Sequence, residues 1–586
     1  MDDRLDLLLT GFIPAILIVA VSLTLLLSLL LLHSYRRAVV RSMGRDAGGR
    51  NAGSHNTGSR DAGGYAFGAL QPPSSKDSEE VSSKDSGQSG AIAAAAKSSS
   101  NRVINRDLSP ADKATLYARL LEAPWRQAAI YGMGGLGYAM VMSLALHLSF
   151  QMQILPVRFL CILWLYLWPT LIIFNLVAAS TKRILSRSLI AYFVGLVGWG
   201  LLADSASVLT FNWTEILILW MTFNLPATVL LLAFLHPQIR AVGPLVLTGT
   251  LFVVTGFLSF LFLISSQDLF LKGVVILGTA LGQNHFFLFL AIGFVLSLVV
   301  VAPIVWGLLR WIRRSYEQKR ISEQGLLLVA IGLFFGLAHS IGLASMSGSG
   351  WVVIGAIAFA VFVGVSRVLM TRARSQLKRS TQGVNLLLLR VFALGQRSDQ
   401  LFQSLSLHWR HIGSIQMIAG PDLLNTTIEP HEFLDFVTGK LARRFIDSPQ
   451  TLAQRLKERD LEPDLDRRFR VNDFFCYNDT WRLALLSLLE TSDVVLMDLR
   501  SFSQQRAGCI FEINTLIHGV PVEQVVLLVD DTTDTAFLQK TIQTAWHSQP
   551  ATSPNILKSA DALKTFSWER GLQSLPALFQ VLLRTT

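Results

Sequence analysis

Long apolar runs dominate the first two thirds of the chain, and short apolar runs alternating with amphipathic ones fill the last third. Residues 7–32 are apolar and long enough to cross a bilayer. MDDRLD precedes them and HSYRRAVVR follows, the reverse of the charge order around a cleaved signal peptide, so the run predicts an anchor. The positive-inside rule then puts the N-terminus outside and residues from Arg36 onward in the cytoplasm. From about Met43 to Ser100 the chain is Gly, Ser, Ala and Asp without apolar periodicity. Such a segment buries too little surface to offset its ordering entropy and predicts a disordered linker. Ser109-Pro110 then opens an amphipathic helix to about Trp125, with Leu116, Leu120 and Leu121 on one face. That face suits either a membrane interface or packing against the C-terminal domain.

Eight further apolar runs follow, at 128–150, 155–179, 188–203, 215–235, 241–265, 285–309, 325–345 and 351–370. Their connections alternate. TKRILSR, HPQIR, RWIRRSYEQKR and TRARSQLKR are basic, whereas QMQILPV, DSASVLTFNW, SQDLFLKG and SMSGSG carry almost no basic residue. An outside start and nine spans place every basic loop, and the C-terminal domain, in the cytoplasm. The expected division is an anchor over 1–41, a cytoplasmic linker over 42–108, a helical membrane domain over 109–379 and a cytosolic α/β domain over 380–586. The apolar segment 270–284 is short for a span and fits an interfacial or re-entrant piece.

The texture changes after TRARSQLKRSTQG. Apolar runs at 384–393, 414–423, 493–500 and 524–530 read as strands. Helical patterns lie between and after them, in SDQLFQSLSLHWRHIG, HEFLDFVTGKLARRFI, NDTWRLALLSLLETS, GCIFEINTLIHG and TDTAFLQKTIQTAW. Continuous apolar strands alternating with helices predict a parallel sheet covered on both faces. About 200 residues is an ordinary size for one such domain.

Composition supports the division. Apolar residues make up 51% of the chain and charged ones 16%, less charge than a soluble protein carries. Residues 1–379 hold 31 basic and 17 acidic side chains, residues 380–586 hold 20 and 23, so the net charge of +11 belongs to the membrane half. The soluble part is therefore not basic and has no nucleic-acid module. Cys161, Cys476 and Cys509 are too scattered for a disulfide framework or a zinc site.

GMGGLG at 132–137 matches a dinucleotide fingerprint but sits inside an apolar span, where glycines serve close helix packing. His147, Asn175, Asn224 and His339 are scattered among the spans, and Asp204 and Glu215 flank an outer loop. No span carries a buried acid or a basic series, so hydrogen bonding between helices explains most of them better than a transport path. Asn212-Trp213-Thr214 is a glycosylation sequon in a loop close to the membrane.

Ligands of open α/β sheets sit beyond the C-terminal strand ends. The polar residues placed there are Arg397 and Ser398 after the first strand and Asp422 after the second. Asp498, Arg500 and Ser501 follow the third, and Asp530 and Asp531 the fourth. Glu512 enters from the helix after the third strand, at the margin of an apolar arc of Cys509, Ile510, Ile513, Leu516 and Ile517. A carboxylate on such a margin can face a cleft, and one in a helix's first turn is also favoured by the helix dipole alone. Likewise Asp498 and Arg500 suit an ion pair at a strand end, and Cys509 a small core residue.

The order strand, DLRSFSQQRAGC, IFEINTL resembles the third strand and following helix of TIR (Toll/interleukin-1 receptor) domains. LLLLRVFALGQRSDQLFQSL resembles their first strand, loop and helix. Nucleoside 2-deoxyribosyltransferases share the layout of a strand ending in Asp-Leu before a Glu-bearing helix. The resemblance spans residues 384–550 and implies a flavodoxin/TIR-like sheet. It matches Glu512 to the glutamate with which enzymatic TIR domains cleave the N-glycosidic bond of NAD, and gives Trp481 or Phe502 the role of stacking on a base. Such chemistry wants a lone carboxylate near an oxocarbenium-like carbon. No bound cofactor is required; NAD or a nucleoside is the expected substrate. Many TIR domains are pure interaction modules, so a non-enzymatic domain that binds its like, as a homo-oligomer, is equally in view.

The expectation is a multipass protein of the bacterial inner membrane whose cytosolic TIR-like domain signals or acts as an effector. The alternatives are a transporter or channel with a regulatory domain, and a membrane scaffold.

Overall fold

The computed structural model describes residues 13–45, 109–178, 182–205, 213–234, 268–282, 285–375, 383–391, 396–420, 430–568 and 574–585, with scattered positions between 242 and 256. The membrane half contributes α1 (Ile13–Met43), α2 (Pro110–Ser149), α3 (Pro156–Tyr166), α4 (Trp168–Val177), α5 (Lys182–Ser205), α6 (Trp213–Phe234), α7 (Asp268–Leu281), α8 (His285–Glu317), α9 (Glu323–Ser347) and α10 (Ile354–Ser375). Five stretches among the described residues are long and apolar enough to cross a membrane: Pro110–Ser149, Arg183–Leu202, Ala291–Glu317, Glu323–Ala344 and Gly350–Ala373. The pair α3 and α4, bent by 48°, adds a sixth if it is one broken span. The run at 155–179 is thus two helices joined at Leu167.

Nine crossings are expected from the sequence, and these five or six are counted among the described residues alone. Most of the run at 241–265, and residues 1–12 of the first, lie outside the described residues, as does the linker over 46–108. The runs at 7–32 and 215–235 fall on α1 and α6. Residues 272–281 form a short apolar helix, as the segment's length implied.

The amphipathic stretch and the next apolar run merge into one 40-residue helix, α2. It begins where the sequence supplies a start: Pro110 at the first position, and Ser109 Oγ accepting from the amide of Asp112 at 3.1 Å. Leu116 and Leu120 are buried against Trp409, Leu578 and Phe579 of the C-terminal domain, so this face packs on that domain, while Leu121 is exposed. Further along, GMGGLG does what its place in a span predicts. A Cβ on Gly134 would meet the carbonyl oxygen of Phe362 in α10 at 2.9 Å, and one on Gly135 would meet Thr170 Cγ2 in α4 at 2.6 Å.

The C-terminal part is a seven-stranded parallel sheet of β1 (Leu386–Arg390), β2 (Ile415–Ile418), β3 (Phe445–Ile446), β4 (Val471–Cys476), β5 (Val494–Asp498), β6 (Val525–Val529) and β7 (Lys564–Ser567), in the order β3-β4-β2-β1-β5-β6-β7. Its helices are α11 (Gln396–Trp409), α12 (Pro430–Val437), α13 (Pro449–Lys457), α14 (Trp481–Leu489), α15 (Ala507–Gly519), α16 (Thr535–His547) and α17 (Leu575–Thr585). Alternate residues of β1 feed two cores. Leu387 and Leu389 join Met497, Phe502, Cys509 and Ile513 on one face. Leu386 and Leu388 join Trp409, Leu496, Phe579 and the α2 leucines on the other. Burying both faces explains why these strands read as unbroken apolar runs.

The halves also meet away from α2: Tyr35 of α1 packs edge-to-face on Phe436 of α12 at 5.3 Å, and Arg313 of α8 pairs with Asp435 at 3.0 Å. The loop between α8 and α9 meets residues 460–470, which lead into β4. Arg470 stands over the Tyr316 ring, donates to the Tyr316 carbonyl and pairs with Asp464 at 2.8 Å. Lys319 pairs with Asp460 at 2.6 Å, and Arg410 pairs with Glu323 at 3.0 Å. The amide of Gln127 in α2 donates to the Asp466 carbonyl.

Candidate functional site

β1 and β5 lie side by side, with Arg390 in register with Asp498 at their C-terminal ends. On one side of this pair the chain runs out to β2, β4 and β3, on the other to β6 and β7. This reversal marks where open α/β sheets bind ligands.

Charge is concentrated there. Arg390 is 3% exposed, Asp498 1%, Arg500 4% and Glu512 4%, in a domain where such residues are seldom buried unless paired. Arg500 holds Asp498 bidentately, Nε to Oδ1 at 2.8 Å and Nη2 to Oδ2 at 2.7 Å. Its Nη2 also reaches the Arg397 carbonyl at 3.2 Å, so one guanidinium ties the loop after β5 to the start of α11. Asp498 and Arg500 therefore form the strand-end ion pair that the sequence allowed.

The rim is a second set of bonds. Ser501 takes a left-handed backbone, φ 58°, uncommon for a residue with a side chain. Its amide donates to Thr532 Oγ1 at 3.1 Å, and Thr532 Oγ1 donates to Asp530 Oδ1 at 2.6 Å. Arg397 completes the rim, facing Asp530 Oδ2 at 3.5 Å. The loops after β1, β5 and β6 thus share one edge, and Arg397, Ser398, Asp498, Arg500, Ser501, Asp530 and Glu512 all gather around it.

Glu512 lies behind this edge, in the second turn of α15, buried as its position on the apolar margin allows. Burial pushes its carboxyl up to about 8, against a downward pull from Arg390. Its Oε2 has no hydrogen-bond partner among the described residues, and neither has the buried Oγ of Ser398. A desolvated carboxyl beside a guanidinium can exist in either protonation state near neutral pH, as a proton donor or as an anion facing developing positive charge.

Trp481 stands at the start of α14. Its ring packs edge-to-face on Phe511 at 5.6 Å, with Arg482 over both rings. Phe502 is fully buried against Phe537 at 5.6 Å. Asp422 falls outside the described residues. Two participants went unrecognised in the sequence, Arg390 and Thr532. A lone charge closing the run LLLLR was the available signal for the first.

Among the described residues no three His, Cys, Asp or Glu side chains are placed to hold a metal ion. All three cysteines are free and buried, and burial with the nearby Glu512 pushes the Cys509 thiol up, as suits a core residue. Comparison with protein-family models, curated proteins and solved structures finds no match for this chain.

Proposed function

We propose that this chain is a multipass protein of a bacterial inner membrane. Its C-terminal domain is TIR-like, faces the cytoplasm and works as a signalling or effector module that cleaves the N-glycosidic bond of NAD or a nucleoside. The observation that carries this reading is Glu512: a buried carboxyl at the strand-order reversal, with one oxygen lacking a hydrogen-bond partner among the described residues.

As an anion, Glu512 would stabilise or attack the sugar carbon as its bond to the base breaks, and water would then complete hydrolysis. The cationic nicotinamide ring of NAD favours the ionised carboxylate, because a positive charge nearby lowers a carboxyl's pKa. Burial holds the resting carboxyl protonated to a higher pH than usual, and the charge of Arg390, in register with Asp498, opposes that rise. The basic loops 310–320 and 371–379 support a cytoplasmic domain. The non-enzymatic version of the reading keeps the fold and uses the same edge to bind a like domain in a homo-oligomer.

The test uses the full-length protein in detergent with NAD, and then with a set of nucleosides, followed by mass spectrometry. Release of free base by the wild type and not by Glu512→Gln supports the reading. A folded, concentrated protein that turns over none of them removes the enzyme and leaves the interaction module.

A further inference from the structure

A cleft of about 1070 Å³ lies where the end of α8 meets α12, α13 and β4, on the far side of β2 from the Glu512 site. Most of its wall is charged, with Ile446, Leu456, Val471 and Phe474 among the rest. Arg313, Lys319, Arg444, Arg455 and Arg470 each have a carboxylate: Asp435 takes Arg313 at 3.0 Å and Arg444 at 2.6 Å, Asp460 takes Lys319 at 2.6 Å, Glu458 takes Arg455 at 2.8 Å, and Asp464 takes Arg470. Four other cations of the wall have none among the described residues. Lys440, Arg443 and Lys457 are exposed at its mouth. Arg459 is half-buried and meets neutral oxygens alone, Thr491 Oγ1 at 2.6 Å, the Leu456 carbonyl at 2.8 Å and Gln416 Oε1 at 3.5 Å. Glu432 and Asp473, on the same wall, complete its acids beside Glu317 and Glu462.

Half-buried guanidinium groups are ordinarily matched by an anion, and three exposed cations around one opening attract multiply charged anions from solution. The cleft also opens beside Arg313, in the last turns of the apolar stretch Ala291–Glu317, the level at which a membrane's phosphate groups lie.

We propose that this cleft binds a phosphate-bearing polyanion, with Lys440, Arg443, Lys457 and Arg459 as its cations, and that the bound anion braces the end of α8 against the C-terminal sheet. Such an anion is either a soluble polyphosphate compound or the headgroup of an anionic lipid.

The experiment follows thermal unfolding of the full-length protein, wild type beside the triple variant Lys440→Gln, Arg443→Gln, Lys457→Gln, whose substitutions fall on exposed side chains and leave the fold intact. Detergent-solubilised protein is titrated with sodium pyrophosphate against sodium chloride at matched ionic strength. Both proteins are also compared in nanodiscs of phosphatidylcholine and of phosphatidylcholine with phosphatidylglycerol. A rise in Tm of about 5 °C with saturating pyrophosphate, absent in the variant, supports a soluble polyanion. A similar rise in the phosphatidylglycerol discs only, again absent in the variant, assigns the site to a lipid headgroup. No rise with either probe, or rises of equal size in the variant, overturns the proposal.

Discussion

The guanidinium of Arg470, the residue just before β4, lies 3.8 Å from the ring centroid of Tyr316 in the last turn of a candidate membrane span. The same guanidinium holds Asp464, whose carboxyl is nevertheless raised to about 6, because burial outweighs the hydrogen bond and charge of Arg470. The pair fixes geometry more than it adds stability. Replacing Arg470 by Leu strands the buried Asp464 and should cost about 3–5 kcal/mol. Arg470→Leu combined with Asp464→Leu should recover much of that loss. Thermal unfolding of the two full-length variants in detergent measures both.

The raised carboxyl of Glu512 makes a directional prediction about pH. The folded state keeps its proton up to about pH 8, whereas the unfolded chain releases it in the ordinary carboxylate range. The folded protein therefore binds more protons between those limits, and stability falls as pH rises from about 4.5 to 8. Glu512→Gln should unfold later than wild type at pH 8.5 and show little difference at pH 4.5. A variant that tracks the wild type at both values would mean that Glu512 is ionised throughout.

Catalysis, if Glu512 acts as an anion, should run the opposite way. The value of kcat/KM for release of free base should climb with pH and level off above about 8, the range of the free enzyme's carboxyl. Glu512→Gln should lower it by about a hundredfold or more at every pH. Mass spectrometry of the released base, taken across pH 6 to 9, reads both effects.

Leu120 is fully buried between α2 and the C-terminal domain. Leu120→Ala should destabilise that junction by about 2–5 kcal/mol. Limited proteolysis should then degrade the full-length variant sooner than the wild type.

At Gly134 a side chain would meet Ser366 Oγ and, behind it, the Phe362 carbonyl oxygen, which as backbone has no rotamer with which to yield. Gly134→Val should push α2 from α10 and reduce the folded yield from membranes. Fluorescence-detected size exclusion resolves loss of the monodisperse peak.

How legible all this was depended on burial. β1, β2, β5 and β6 are buried along their whole length and stood out as apolar runs. β4 did not, because VNDFFC is half-buried for three residues and Asn472 donates its side-chain amide to the Asp460 carbonyl. β7, KTFS, alternates between half-buried and exposed at the sheet's edge, and β3 is two residues long. Glu512, Asp498 and Ser501 could be placed because strand ends and helix starts are local features. Arg390 could not, since what gives it meaning is Asp498 across a strand pair and Glu512 on a helix, both more than a hundred residues away. The packing of Trp481 against Phe511, on another helix, is likewise not a local feature of the sequence.

The long helix α2 also dictates an order of assembly. Leu116 and Leu120 leave the ribosome about 460 residues before Leu578 and Phe579, which cover them. At the usual pace of synthesis that interval is about half a minute or more. The newly made chain therefore carries an unsheathed apolar strip through most of its translation, and a fragment beginning after residue 380 is born with the matching strip around Trp409 and Phe579 bare.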